Sequence, residues 1–158
     1  MFYNILSIDD EPDLLRLLER IIREKTHFSI LATGNSLEVP EILKYNDFDV
    51  IITDLKMPGM DGLDILKYIK NNNRFEQVII ITAFGSLETA MEALSNGVFD
   101  YITKPFKKEQ IIFTVDKAIK YQQAMKFNIK LRKLFDTSPL EAAVELFKQE
   151  YLKAKQLN

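Results

Sequence analysis

The chain has 158 residues, 47% of them hydrophobic and 28% charged, which suits one full-sized domain with a complete core plus a short appendage and leaves too little for two ordinary globular domains. A net charge of −2 gives no general attraction to nucleic acid or to an anionic membrane. With no cysteine, disulfides, zinc–thiolate sites and a thiol nucleophile are excluded.

The amino terminus, MFYNILSIDDEP, is a short apolar run ended by three acids, with neither a basic leader nor a small-residue cleavage site. No stretch reaches the apolar length of a membrane span, so the expectation is a soluble, cytoplasmic chain. YNILSI (3–8) predicts a first strand, and Leu14, Leu17, Leu18, Ile21 and Ile22 then follow the spacing of one helix face, with Pro12 where a first turn tolerates it. FSILAT (28–33) predicts a second strand; Pro40 must lie in the first turn of the next helix or mark its start near Val39. FDVIIT (48–53) is continuously apolar and β-branched, the mark of a strand covered on both faces, and Asp61 can cap the helix after it. QVIIIT (77–82) precedes a shorter amphipathic pattern, Leu87, Ala90, Met91 and Leu94, closed by Asn96-Gly97. FDYIT (99–103) leads into Ile111, Val115, Ala118 and Ile119, a fifth helical face.

Strict alternation of strand and helix implies a parallel sheet with helices on both faces. The fold expected is α/β: a flavodoxin-like, doubly wound five-stranded parallel sheet of order 2-1-3-4-5 with a C-terminal helical extension. The domain would span residues 1–121 and the extension 122–158. The fifth helical pattern starts at about Lys107 and runs without Gly or Pro to Phe135, long for the last helix of a compact domain. Ser138, Pro139 and Glu141 then form a capping box, followed by a stripe of Leu140, Val144, Phe147, Tyr151 and Ala154 at spacings of four and three.

In an open doubly wound sheet, ligands bind beyond the carboxyl ends of the strands where strand order reverses, here between strands 1 and 3. Asp9 and Asp10 end strand 1, Asp54 ends strand 3, Thr82 ends strand 4, and strand 5 runs into Lys104-Pro105. Three clustered carboxylates repel, so a proton or a cation must join them. Hard oxygen ligands without a nearby histidine or thiol favour Mg²⁺, which keeps waters and readily takes a phosphate oxygen. An aspartate can act as nucleophile toward phosphorus, with Mg²⁺ and Lys104 sharing the developing charge.

The motifs DDEP (9–12), DLKMPGMDG (54–62), TAFGS (82–86) and DYITKPF (100–106) together resemble the receiver domains of bacterial two-component response regulators, over roughly residues 3 to 121. The resemblance implies a phosphorylation-dependent signalling switch in which Asp54 accepts a phosphoryl group from a sensor histidine kinase or phosphotransfer protein. It implies Asp10 as a direct Mg²⁺ ligand, Asp9 as the holder of a metal-bound water, and the backbone carbonyl of Lys56 as a further ligand. Thr82 would hydrogen-bond the phosphoryl oxygen, Lys104 would pair with another, and Tyr101 would be the switch aromatic that turns inward with Thr82. A cis Lys104-Pro105 bond is expected on the same basis. The fourth helix, fifth strand and fifth helix would carry the signal.

Singly, each feature has a plainer explanation: DDE as helix-start acids, Asp54 as a turn cap through its own side chain, Thr82 as a turn former, Lys104 as a solvated cation, Tyr101 as packing. Five such positions at strand ends of one topology favour the joint reading. One rival is a phosphohydrolase of the haloacid-dehalogenase type, which needs a second Asp two residues after the nucleophile; Lys56 stands there. Another is a receiver-like interaction domain that works without phosphate, disfavoured by the complete set of acid, hydroxyl and lysine. The chain itself is expected not to be an enzyme beyond its own phosphoryl transfer and slow autodephosphorylation, since it shows no P-loop and no kinase-like Gly-rich loop. Lys56 and Phe84 occupy positions that tune dephosphorylation in the family, and this bulky pair is expected to prolong the phosphorylated state.

The receiver motifs are most similar to those of AAA-type transcription activators. The stretch PLEAAVELFKQEYLKA resembles the opening helix of Fis-like DNA-binding domains, but the glycine turn and recognition helix are missing, which weighs against DNA binding. Lys120, Lys126, Lys130, Arg132 and Lys133 read as a solvated basic face, and His27 as a surface residue. The terminal apolar stripe must cover something, either its own domain or the same segment of a second chain; a homodimer through the C-terminal helices is the favoured expectation.

Overall fold

The computed structural model describes residues 3–137, 144 and 147–150. In chain order the elements are β1 (Asn4–Ile8), α1 (Pro12–Lys25), β2 (Ser29–Thr33), a 3-10 turn (Ser36–Glu38), α2 (Val39–Tyr45), β3 (Val50–Thr53), α3 (Gly62–Asn71), β4 (Gln77–Thr82), α4 (Leu87–Ser95), β5 (Asp100–Thr103) and α5 (Lys108–Thr137). All strand pairings are parallel, as the alternating pattern predicts, and the order is the expected β2-β1-β3-β4-β5.

Alternation of side chains along each strand splits the core into two layers. Ile5, Val50, Ile52, Ile79 and Ile81 face α1 and α5, meeting Leu18, Ile22, Ile111 and Val115. Leu6, Ile8, Ile51, Val78 and Ile80 face the other way, onto Val39, Leu43, Ile65 and Ile69. Every residue of β3 is buried, because helices cover both of its faces. Register sets the strand ends level: Ile8 pairs with Thr33 on one side and Thr53 on the other.

Pro40 lies in the first turn of α2, and Asp61 caps α3 with a reciprocal box, its carboxylate accepting from the Asp64 amide at 2.8 Å while Asp64 accepts from the Asp61 amide at 3.1 Å. The exception is α4. Its periodic residues Leu87, Met91 and Leu94 are 79%, 61% and 65% exposed, and Ala93 is its only buried residue. Periodicity identifies a stripe but not the direction it faces. Here the small Ala93 seats the helix, and Lys67 of α3 pairs with Glu92 at 2.9 Å beside it.

The chain divides into two units, Met1–Gln122 and Gln123–Asn158. In the second, the Phe127 and Phe147 rings meet edge-on, 6.1 Å between centroids. The capping box at Ser138, Pro139 and Glu141, and the stripe residues Leu140, Tyr151 and Ala154, lie outside the described residues. No helix among the described residues is long and apolar enough to cross a membrane.

Two glycines let the loop after β3 fold tightly. Gly59 has a φ of +88°, and a Cβ there would meet the Leu37 side chain at 2.8 Å. Gly62 opens α3 directly on the backbone of Asp54, where a Cβ would fall 2.4 Å from the Asp54 carbonyl oxygen. Gly62→Ala is therefore expected to destabilise the fold by about 1–3 kcal/mol, the usual cost of overpacking, measured by denaturant unfolding. A variant as stable as the wild type would show that the contact is relieved without moving Asp54.

Candidate functional site

β1 ends at Ile8, the chain bends at Asp10, and Glu11, just before α1, has φ and ψ of −90° and 104°. The Glu11 and Asp9 carboxylates both meet the Lys104 ammonium, while Asp10 is exposed. Asp9 is 2% exposed, its amide donates to the Thr33 carbonyl at 3.2 Å, and its Oδ1 accepts from the Glu11 amide at 2.7 Å. Next to it, the Asp54 amide donates to the Ile8 carbonyl at 3.1 Å, and Asp54 Oδ1 accepts from the Leu55 amide at 2.6 Å. Asp54 is 4% exposed.

β4 delivers Thr82, fully buried, with its Oγ1 accepting from the Phe84 amide at 3.1 Å. The Lys104 amide donates to the Thr82 carbonyl at 2.8 Å, which ties the end of β5 to β4, and the Lys104-Pro105 bond is cis. From there the Lys104 ammonium reaches across the strand ends. Its Nζ stands 3.0 Å from Glu11 Oε1, 3.5 Å from Asp9 Oδ2 and 3.7 Å from Asp54 Oδ2.

Among the described residues, Asp9, Glu11 and Asp54 form an acidic group whose oxygens all lie within 4.8 Å of one another. Asp10, expected as the direct metal ligand, is exposed and is not among them. Glu11 joins this cluster through its ion pair with Lys104 at 3.0 Å. Lys56 is exposed, its ammonium 5.6 Å from the centre of the Phe84 ring. Tyr101 is half-buried, and its hydroxyl lies 3.2 Å from Thr89 Oγ1, within the capping box that starts α4. Thr89 carries no motif and was not legible as a site residue.

Burial pushes the Asp9 carboxyl above the ordinary aspartate value of 3.8; the Glu11 amide and Lys104 pull the other way, and the charge of Asp54 adds to the rise. For Lys104, burial alone would lower the ammonium, but the hydrogen bond to Glu11 and the charges of Asp9 and Asp54 outweigh it and hold the group above the usual lysine range. One cation thus serves three acids. The donor set fits Mg²⁺: oxygen ligands only, two of the three carboxylates buried, and a negative charge that Lys104 neutralises only in part.

The doubly wound parallel sheet brings acids from β1 and β3, a hydroxyl from β4 and a lysine from β5 to its switch point, where open sheets of this class bind their ligands. Residues 5–116 match the family described as Response regulator receiver domain. The chain is 34% identical over 139 residues to the response regulator protein PilR of Pseudomonas aeruginosa, covering 87% of this chain and 31% of that one. It is 37% identical over 116 residues to the DNA-binding transcriptional regulator NtrC of Escherichia coli K12, covering 73% of this chain and 24% of that one. A response regulator receiver domain crystallised from Clostridium thermocellum superimposes with a TM-score of 0.72 at 32% identity, over 78% of this chain and 98% of that one. The chain belongs to the response regulator receiver domain family of two-component signalling. It spans about a quarter to a third of the length of the curated relatives it matches. The expectation against DNA binding does not match the Escherichia coli relative, which is named for it; that expectation rested on a recognition helix missing after the last helix, and the matched part is 24% of that protein.

A raised Asp9 gives the metal-free protein stability that is complete below the unfolded pKa and lost as pH rises through the folded one. Asp9→Asn removes that loss. In EDTA its melting temperature is expected to exceed that of the wild type by a margin that widens as pH rises from about 4 and then levels off. A margin independent of pH would show that Asp9 ionises without penalty.

Proposed function

We propose that Asp54 is the phosphoacceptor of this receiver, and that the donor is a phosphohistidine on a sensor histidine kinase or phosphotransfer protein working in the cytoplasm. The observation that carries it is the position of Asp54: a buried carboxylate at a strand end, 3.7 Å from the Lys104 ammonium and clustered with Asp9 and Glu11. In the transfer, a carboxylate oxygen of Asp54 attacks phosphorus, the bond from phosphorus to the imidazole nitrogen breaks, and an acyl phosphate remains. Lys104 pairs with one phosphoryl oxygen and the Thr82 hydroxyl donates to another. Asp10 and Asp54, with the Lys56 carbonyl, would hold Mg²⁺ directly and Asp9 would hold a metal-bound water, with Glu11, grouped with Asp9 and Asp54, as a further carboxylate within reach. When bound, the ion supplies charge neutralisation and a binding position for a phosphoryl oxygen.

Lys56 stands where a haloacid-dehalogenase-type hydrolase needs its second aspartate, so the acyl phosphate lacks that catalyst of hydrolysis. The contact between Lys56 and the Phe84 ring supports a shield over the phosphoryl group and a long-lived signal. Drawing Thr82 toward phosphate would pull Tyr101 inward and away from Thr89, altering the surface of α4, β5 and α5. The output is control of a partner or of a homodimer through the C-terminal helices.

Treatment with acetyl phosphate and Mg²⁺ should add one phosphoryl group to the intact mass, and Asp54→Asn should add none. A phosphorylated Asp54→Asn chain would overturn the assignment. The phosphorylated wild type should persist well beyond seconds in the absence of phosphatase; decay within seconds would remove the shield. Solution mass of the full chain, compared with one truncated after Tyr121, tests the dimer, which a monomeric mass for each would exclude.

A further inference from the structure

The loop between β2 and α2 contributes no acid, hydroxyl or amine to the phosphoryl-accepting chemistry, yet it joins the end of β2, which is bonded to Asp9, to the turn that follows Asp54. At one end, the Thr33 carbonyl accepts from the Asp9 amide. At the other, Ser36 is 2% exposed, and its hydroxyl is used twice on a single tripeptide: it donates to the Pro58 carbonyl at 2.8 Å and accepts from the Met60 amide at 2.9 Å. A buried serine that bridges two backbone groups 22 and 24 residues away satisfies both of them, and neither has another hydrogen-bonding element within the turn to replace it.

Within the same loop the Gly62 amide donates to the Leu55 carbonyl at 3.0 Å, which leaves the Pro58–Met60 groups to Ser36. Gly59, between the two bonded residues, holds a positive φ that other residues rarely adopt. A Cβ at Gly59 would come within 3.0 Å of the Ser36 hydroxyl and 2.8 Å of Leu37, so the loop is packed against the turn as well as bonded to it. The Asn35 side chain accepts from the Leu37 amide at 3.1 Å and starts the 3-10 turn that presents Ser36. Lys56, whose carbonyl is assigned above to the cation, lies two residues before Pro58 on this turn.

We propose that Ser36 is a positioning residue for divalent-cation binding: by clamping Pro58 and Met60 it holds the Lys56 carbonyl at a fixed place relative to Asp54 and, through Thr33, relative to Asp9. This rests on the Mg²⁺ reading given under the proposed function. Ser36 touches neither the ion nor the phosphoryl group. Its effect is that of an outer-shell partner, and loss of such partners typically weakens metal binding by a factor of about 10 or more.

The test is Mg²⁺ binding by the unphosphorylated full chain, followed by titration calorimetry and by the rise in melting temperature that Mg²⁺ produces, together with hydrogen exchange of the Met60 amide. Ser36→Ala should bind Mg²⁺ about tenfold more weakly and exchange Met60 faster. Ser36→Cys, which keeps the volume but bonds poorly, should do the same and serves if the alanine variant does not fold. Ile69→Val, a core change in α3 away from the turn, should leave Mg²⁺ affinity unchanged. If Ser36→Ala and Ser36→Cys bind as the wild type does, or if Ile69→Val loses as much, Ser36 has no positioning role. A wild type that binds no Mg²⁺ would instead overturn the metal reading, and this inference with it.

Discussion

Three carboxylates gathered around one ammonium are the constraint on which the rest of this domain depends. Asp9 and Asp54 are nearly removed from water, and taking a charge out of water is expensive unless an opposite charge or hydrogen bonds replace the solvent. Lys104 meets that need only in part, as it faces three acids at 3.0, 3.5 and 3.7 Å. The residual negative charge suits the site to a divalent cation, the ion proposed above. A fold that balanced these charges fully would be more stable and chemically inert.

The scaffold is arranged to hold that imbalance. Strand ends in register put Asp9 and Asp54 side by side, each held by its own backbone amide and by a neighbouring one. Gly62 lets α3 begin on the backbone of Asp54, and Ser36 closes the turn between them from outside. These contacts are short, directional and largely buried, which suits a site whose geometry must not relax when like charges repel.

The signalling side is built in the opposite way. α4 buries one alanine and presents leucine and methionine to solvent, so little apolar burial opposes its movement. Its first turn is joined to Tyr101 by the hydroxyl of Thr89, and Tyr101 packs against the core face that includes Ile80 and Ala93. A rigid acidic pocket thus adjoins a lightly held helix. That contrast is what a two-state element needs: a small shift at the phosphoryl group can select between surfaces that differ little in energy.

Strand positions, helix starts and a parallel sheet were legible in the sequence, because continuous β-branched runs, caps and strict alternation are local signals that the hydrophobic effect and chain geometry convert directly into structure, whereas the strand order came with the resemblance to receiver domains. So was the gathering of Asp54, Thr82 and Lys104 at one sheet edge, which follows from topology alone. Three features were decided only by tertiary packing. The ion pair with Lys104, 93 residues away, brings Glu11 into the acidic cluster. The apolar stripe of α4 faces outward because a small alanine, not the leucines, meets the sheet. Ser36 reaches Pro58 and Met60 across more than twenty residues of chain. Each depends on a distance through space between segments far apart or differently oriented, and neither periodicity nor composition encodes that.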